Sequence, residues 1–167
     1  MREMVHELTE GFKLALRKVA ASVAVVTARR GDKLDGMTAT AVTSLCADPP
    51  CLLACVARAA ALNSTMAECE EFCVNYLCVD QEHISRVFSD TRRRHERFQT
   101  GQWVLEPGRA PYLSDAQANI FCRCANAFPI QTHTVFVGQV CEVRHLPRIA
   151  PLLYLDGAYS SVAVRIS

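Results

Sequence analysis

Gly36-Met37-Thr38-Ala39-Thr40-Ala41-Val42-Thr43-Ser44-Leu45-Cys46-Ala47-Asp48-Pro49-Pro50 is the stretch on which the fold turns. It reads as a β-strand running from Gly36 to Cys46. Asp48-Pro49-Pro50 stops it, because proline has no N–H to give to a ladder. Successive strand side chains point to opposite faces, which sets Thr38, Thr40 and Ser44 on one side and Ala39, Ala41 and Thr43 on the other. Small side chains let a flat ligand approach the backbone, and hydroxyls with free N–H groups satisfy a phosphate or the polar edge of a ring. An edge strand with a Thr-rich face toward water has the same composition, and chemistry alone favours that plainer reading.

Working outward, Thr9 is placed to cap a helix whose apolar positions Phe12, Ala15, Leu16 and Val19 repeat at helical spacing. Ser22 to Ala28 is β-branched and apolar, a strand buried on both faces. Arg30-Gly31-Asp32-Lys33 supplies a turn into the quoted stretch. After the prolines, Cys51 to Val56 is expected to be a fully buried strand. Thr65 and Glu68 form a capping box, Phe72 to Leu77 is a strand, and Asp80 caps a helix carrying Ile84, Val87 and Phe88. Residues 89–112 are polar and Arg-rich and read mostly as loop. Alternating segments near 117–127 and 132–146 make a strand pair, followed by a short tail with Tyr154 and Tyr159. Many strands joined by turns, with few short helices, predict a mostly β fold: an antiparallel barrel with peripheral helices, one domain over residues 1–167.

The chain has 167 residues, 50% hydrophobic and 21% charged, an ordinary globular balance. Its 18 Lys and Arg stand against 17 acidic residues, a net charge of +1 that gives no field for nucleic acid or an anionic membrane. No apolar run reaches the length of about 20 residues that spans a bilayer, and the first residues are too acidic for a signal peptide, so the expected location is the cytoplasm. Nine cysteines are the compositional oddity. Cys51-x3-Cys55 and Cys69-x3-Cys73 lack zinc-knuckle spacing and no His pair completes them, so no metal site is expected. Cys122 and Cys124 share one strand face. The nine are read chiefly as reduced core thiols. GxGxxG and Walker A fingerprints are absent.

Position by position, the quoted stretch resembles the short-chain flavin reductases that serve two-component flavin monooxygenases, whose pattern runs G-M-T-x-S-S-x-x-S-x-S-x-x-P-P-L. Further matches follow in order: Ala24-Val25-Val26-Thr27 after an N-terminal helix; Phe72-Cys73-Val74-Asn75-Tyr76-Leu77 for F-x-V-N-x-L; Arg97-Phe98 for R-F; Gly108 to Leu113 for G-x-P-x-L; His133 to Gly138 for H-x-I-F-x-G; and Pro151-Leu152-Leu153-Tyr154 with Tyr159. The resemblance covers nearly the whole chain. It implies an antiparallel split β-barrel of the flavin reductase type, usually a homodimer. The implied activity moves a hydride from NADH or NADPH to FMN or FAD and hands reduced flavin to a partner monooxygenase. No catalytic acid–base residue is implied, since the flavin does the chemistry and the protein positions it.

Carried over by match, Thr38, Ala39, Thr40, Ala41, Thr43, Ser44 and Cys46 should line the flavin. Cys55, Ala57, Arg58, Ala59 and Ala60 should hold the ribityl chain and phosphate, and Arg94, in the cluster Arg92-Arg93-Arg94 with Arg97, should meet the phosphate or adenylate end. His133 and Tyr154 are the candidates for the nicotinamide side. Phe88 and Phe98 read as core. Three departures bear on this: Cys46 stands where the family commonly has Ser, Ala21-Ser22 replaces Thr-Gly, and Gln131-Thr132 replaces a Gly-Asp-like pair, which predicts a different backbone before His133. Three rivals stand below this reading: the same fold passing electrons to a corrinoid, quinone or ferric acceptor, a non-enzymatic flavin- or haem-binding sensor with thiols as its switch, and a thiol-metal module.

Overall fold

The computed structural model describes residues 2–162. Helix α1 (Arg2–Arg17) leads into β1 (Ala21–Ser22), β2 (Ala24–Arg30), β3 (Lys33–Ala39), β4 (Val42–Ala47) and β5 (Pro50–Ala57). Helix α2 (Ala61–Glu68), β6 (Glu71–Tyr76), α3 (Glu82–Ser89), β7 (Trp103–Val104) and β8 (Tyr112–Leu113) follow. The chain continues with β9 (Ala118–Ile130), β10 (His133–His145), β11 (Leu153–Leu155) and β12 (Ala158–Ser160). The expectation of one domain over 1–167 reaches past the described residues at Met1 and at 163–167.

Seven strands form one antiparallel sheet in the order β3-β2-β6-β9-β10-β5-β4. β3 and β4 are its two opposite edges, yet only Thr40 and Ala41 separate them in the chain. From Ala39 to Val42 is three Cα–Cα steps, at most about 11 Å, so the sheet curls until its edges come near each other at this point. Beyond it they stay unpaired with each other. The result is a barrel open along one seam, as expected from the resemblance.

Small residues make the tight curl possible. Ala24, Val26 and Ala28 of β2 face Ala39, Ala54, Val56, Phe72, Val74, Cys122 and Phe136 in one cluster, which Leu62 and Met66 of α2 join. The alternate residues Val23 and Val25 face the other way, against Ile84, Val87 and Phe88 of α3. β2 is therefore buried on both faces, as its composition predicts. Gly36 lets α3 come close: a Cβ there would lie 2.6 Å from Cε1 of Phe88. A buried amide, Asn75, ties the long 89–118 segment to the sheet. Its Nδ2 donates to the Val25 carbonyl at 2.9 Å, and its Oδ1 accepts from the Leu113 N–H and the Asn119 amide, each at 2.9 Å.

Several local expectations are corrected. α1 begins seven residues before Thr9, whose hydroxyl donates to the Val5 carbonyl at 2.8 Å from inside the helix; Met4, Val5 and Leu8 continue the apolar stripe, and Arg, Glu and Met are good helix formers. The Gly36–Cys46 strand is two strands. Because the chain breaks at Thr40-Ala41, Ala39 and Val42 both pack against the barrel interior, so Thr38, Thr40 and Ser44 do not share a face. Ser44 stands opposite buried Leu52, and Thr43 opposite Leu53. β5 is half-buried rather than fully buried, and it starts at Pro50. Thr65 is no cap: it lies buried within α2 and donates to Asp35. Asp80 caps nothing in α3; the Cys78 N–H is taken by Gln81 Oε1 at 2.8 Å, and Asp80 pairs with Arg148.

Candidate active site

The seam and its flanks gather part of the expected site. A hollow of about 230 Å³ is lined by Thr38, Ala39 and Thr40 on one side and by Ser85, Ser89, Tyr154 and Tyr159 on the other. Thr40 and Tyr154 also border a larger hollow of about 520 Å³ under α1, beside Lys13, Leu16, Arg17 and Val19. Ser89 is shared with a third, of about 320 Å³, lined by Gly36, Met37, Ala59, Ala60, Phe88, Arg94 and Arg97. The three adjoin through these shared residues as a broken trough, with hydroxyls and aromatic rings in the middle hollow and the guanidinium groups of Arg94 and Arg97 in the third.

Thr38 is less free than the sequence suggests, because its hydroxyl donates to the Ser85 carbonyl at 2.7 Å. Tyr154 and Tyr159 meet edge to face at 5.3 Å, and the Tyr159 hydroxyl lies 2.8 Å from Ser85 Oγ. Arg86 covers the Tyr159 ring at 4.9 Å. Phe88 and Phe98 pack with Trp103 as core, as predicted.

Of the arginine cluster, Arg92 is turned onto Asp90 and Arg93 onto Glu96. Arg94 pairs with Asp35, whose carboxylate is 1% exposed. Burial alone would raise the Asp35 carboxyl, but hydrogen bonds from Thr65 and Lys33 and the charges of Arg94 and Lys33 outweigh it and hold it below its ordinary value. Arg97 donates to the Gly36 carbonyl at 2.8 Å and the Phe88 carbonyl at 3.0 Å, while its Nε is buried without a partner. Asp35 and Ser85 were missed by sequence reasoning. An acidic residue inside an apolar strand stretch, Leu34-Asp35-Gly36, was the available signal for Asp35.

The remaining expected residues do not line these hollows; they continue from Thr40 along β4 and lie on β5 and at the start of β10. Thr43, Ser44 and Cys46 are exposed on edge strand β4, where a bulge between Ser44 and Cys46 leaves Leu45 outside the ladder. The Ala41 carbonyl accepts from the Cys55 N–H at 2.9 Å. Ala57 stands opposite His133, whose Nδ1 lies 2.9 Å from the Thr132 hydroxyl. Arg58 folds onto the β9–β10 turn, its N–H to Thr132 O at 2.9 Å and its Nη1 to Gln131 O at 3.2 Å. Gln131 takes φ 49° there, a conformation glycine adopts without strain. Among the described residues no cluster has the makeup of a metal site, and the cysteines are unpaired.

An open barrel seam bordered by small residues, hydroxyls, paired tyrosines and an anchored arginine has the chemistry to take a flat, anionic ligand. Residues 16–163 match the family described as flavin reductase like domain. The reductase component of an FADH(2)-dependent resorcinol hydroxylase from a Rhizobium species is 38% identical over 156 residues, 92% of this chain and 87% of the relative. An FMN reductase (NADH) from Acinetobacter baylyi is 31% identical, covering 90% and 80%. Among solved structures, an NADH:FAD oxidoreductase of Streptomyces globisporus, in complex with NAD and FAD fragments, matches with a TM-score of 0.83 at 29% identity, over 91% of each chain. A flavin reductase-like structure from Haemophilus somnus matches with a TM-score of 0.86 at 27% identity, over 92% of this chain and 98% of that one. The chain belongs to the flavin reductase family and is an NAD(P)H:flavin oxidoreductase.

Proposed function

We propose that this chain, as one domain over 1–167, reduces FMN or FAD with NADH or NADPH at the seam and supplies reduced flavin to a partner monooxygenase in the cytoplasm. The observation that carries the reading is the trough running from Thr38–Thr40 and Tyr154 to the Arg94–Arg97 end. Its residues fit a flavin. Alanines and threonines admit a planar ring to the backbone, and Arg97 Nε is a buried donor in want of an acceptor, as a phosphate oxygen would be.

Bound flavin supplies the two-electron acceptor. The chain's own part is placement. Asp35 holds Arg94 in one orientation, so a phosphate meets a cation that has already lost its rotamer freedom. As an edge strand, β4 leaves alternate backbone N–H groups unpaired, and the Leu45 bulge adds a further break in pairing. These donors suit ring atoms that gain negative charge on reduction. His133, at the exposed head of β10, stands ready to meet the nicotinamide side.

The exposed face of α1 supports reading the protein as a homodimer. Val5, Leu8, Phe12 and Leu16 of α1, continued by Val19 just after it, form an exposed apolar stripe that nothing among the described residues covers. A second copy of the chain is the partner we assign to that stripe, in keeping with an apolar patch of this kind. The experiment is anaerobic rapid mixing of purified protein, FMN or FAD, and NADH or NADPH, followed by loss of oxidised-flavin absorbance, then admission of oxygen. Fast bleaching with flavin that exchanges freely is expected; flavin that never leaves the protein would favour another final acceptor.

A further inference from the structure

Cys46 and Cys51 face each other across the β4–β5 hairpin, one pair in from the Asp48-Pro49 turn. Directly opposed residues of an antiparallel pair have Cα atoms about 4.5–5.5 Å apart, inside the span of about 4.4–6.8 Å that a disulfide bridges. Cys46 is exposed and Cys51 half-buried. The Cys46 thiol donates to the Pro49 carbonyl at 3.1 Å, which holds it on the hairpin. Cys51 is pushed above its ordinary pKa by burial first, with Cys46 beside it adding to the rise.

The other thiols are placed differently. Cys73, Cys78 and Cys122 are buried, and Cys122 is pushed up to about 12, chiefly by burial. Cys69 is pushed up to about 11 by burial and then by neighbouring Cys124, and the two lie on α2's end and β9, not on paired strand positions. Among the described residues, Cys46–Cys51 is the cysteine pair that is both opposed in register and reached from solvent.

We propose that Cys46 and Cys51 form a peroxide-oxidised dithiol, a modification site that closes to a disulfide and loosens flavin binding on β4. The oxidant is hydrogen peroxide, made when released reduced flavin gives two electrons and two protons to dioxygen. The Cys46 thiolate attacks the O–O bond, leaving a sulfenic acid and one water. The Cys51 sulfur then displaces the sulfenic oxygen as a second water and forms the S–S bond. Two thiols lose two electrons and two protons, and one peroxide takes them.

The effect on flavin rests on the reading of Thr43 to Cys46 as flavin-lining. Opposed Cβ atoms start about 4.5–5.5 Å apart and must close to about 3.5–4.5 Å in a disulfide. That draws the end of β4 onto β5 beside the Leu45 bulge, where the free backbone donors lie. Reduced flavin made faster than a partner consumes it would thus restrain its own producer.

The test treats the purified full chain with hydrogen peroxide, and separately with NADH, flavin and air with or without catalase. Remaining thiols are alkylated and the peptides mapped by mass. A Cys46–Cys51 cross-link is expected, blocked by catalase in the turnover sample and reversed by dithiothreitol, with flavin Kd raised about tenfold in fluorescence titration. Cys51→Ser should form no cross-link, and its flavin affinity should be the same before and after peroxide. Free thiols at both positions after treatment, Cys46 carried to sulfinate with Cys51 free, or a link from Cys46 to a second copy each overturn the proposal. A cross-link with unchanged flavin affinity overturns the regulatory step. A chain that binds no flavin even when reduced refutes the functional reading instead, with the mass map still deciding the dithiol.

Discussion

β3 and β4 are consecutive in the chain and are the two edges of one sheet, yet their surroundings are opposite. β3 is covered: α2 and α3 pack on it, Ala39 joins the core, and Asp35 is buried under Thr65, Lys33 and Arg94. β4 is bare, with every residue after Val42 exposed. A bare sheet edge is a hazard unless something is meant to lie on it. The difference teaches that the covered edge holds the charge in place, while the bare edge keeps its backbone available. Changes on β3 should therefore cost stability and changes on β4 should cost binding.

The largest expected effect comes from filling the bare side. Thr40→Leu with Ser44→Leu should weaken flavin affinity about 100-fold or more, a loss of about 2.7 kcal/mol. Its free energy of unfolding in urea should stay within the change of about 0.5 kcal/mol typical of surface sites. Wild-type flavin occupancy in that double variant would break the comparison at once. Asp35→Asn is the counterpart on β3. It removes the negative charge and one of the two carboxylate oxygens that Thr65, Lys33 and Arg94 use, and should destabilise by about 2–3 kcal/mol, toward the low end because Lys33 and Arg94 are themselves partly exposed. Denaturant unfolding measures it.

The same carboxylate gives a pH dependence with a definite sign. A group whose native pKa is depressed stabilises above its unfolded value, about 3.9 for Asp, and the contribution is lost as pH falls through the native value. The stability gap between wild type and Asp35→Asn should thus be constant near neutrality and shrink on acidification below about pH 4. A gap that widens with acid would mean the carboxyl is not held ionised. Smaller still, His133→Ala should raise the nicotinamide KM about tenfold and leave flavin affinity alone; an unchanged KM removes His133 from the site. The smallest effect is at the turn beneath it, where Gln131→Gly should stabilise by about 0.5–1 kcal/mol through relief of the positive φ.

Much of the barrel is legible from local pattern. The doubly buried β2, the paired long strands β9 and β10, and the apolar face of α3 each follow from composition and period, because burial on one or two faces leaves a periodic trace. From its residues alone the Gly36–Cys46 stretch reads as one continuous strand. Nothing in Thr38-Ala39-Thr40-Ala41 marks a break, since those residues extend equally well as a strand or as a crossing. Caps failed for a related reason. Thr9 and Thr65 have capping chemistry, but whether a threonine caps or packs is set by what stands opposite, and opposite Thr65 stands Asp35.

The expected site was half assembled. Thr38 to Thr40 and Tyr154 come together, as do Ala59, Ala60 and Arg94, whereas Arg58 turns to the β9–β10 loop and Cys55 to the ladder. Spacing along a chain carries no record of which arginine finds a buried acid. Arg92, Arg93 and Arg94 are alike as residues and differ in having Asp90, Glu96 and Asp35 beside them.

The amino-acid order by itself determined the class of fold, the strands that fill its interior and, through matching motifs, the flavin chemistry, because each is written in periodicity or in contiguous residues. The tertiary structure alone decided that one ribbon becomes both edges of a split barrel, that Asp35 fixes Arg94, and that Cys46 stands opposite Cys51. Those are meetings across space, and they depend on the curl of a sheet whose closure no single segment encodes.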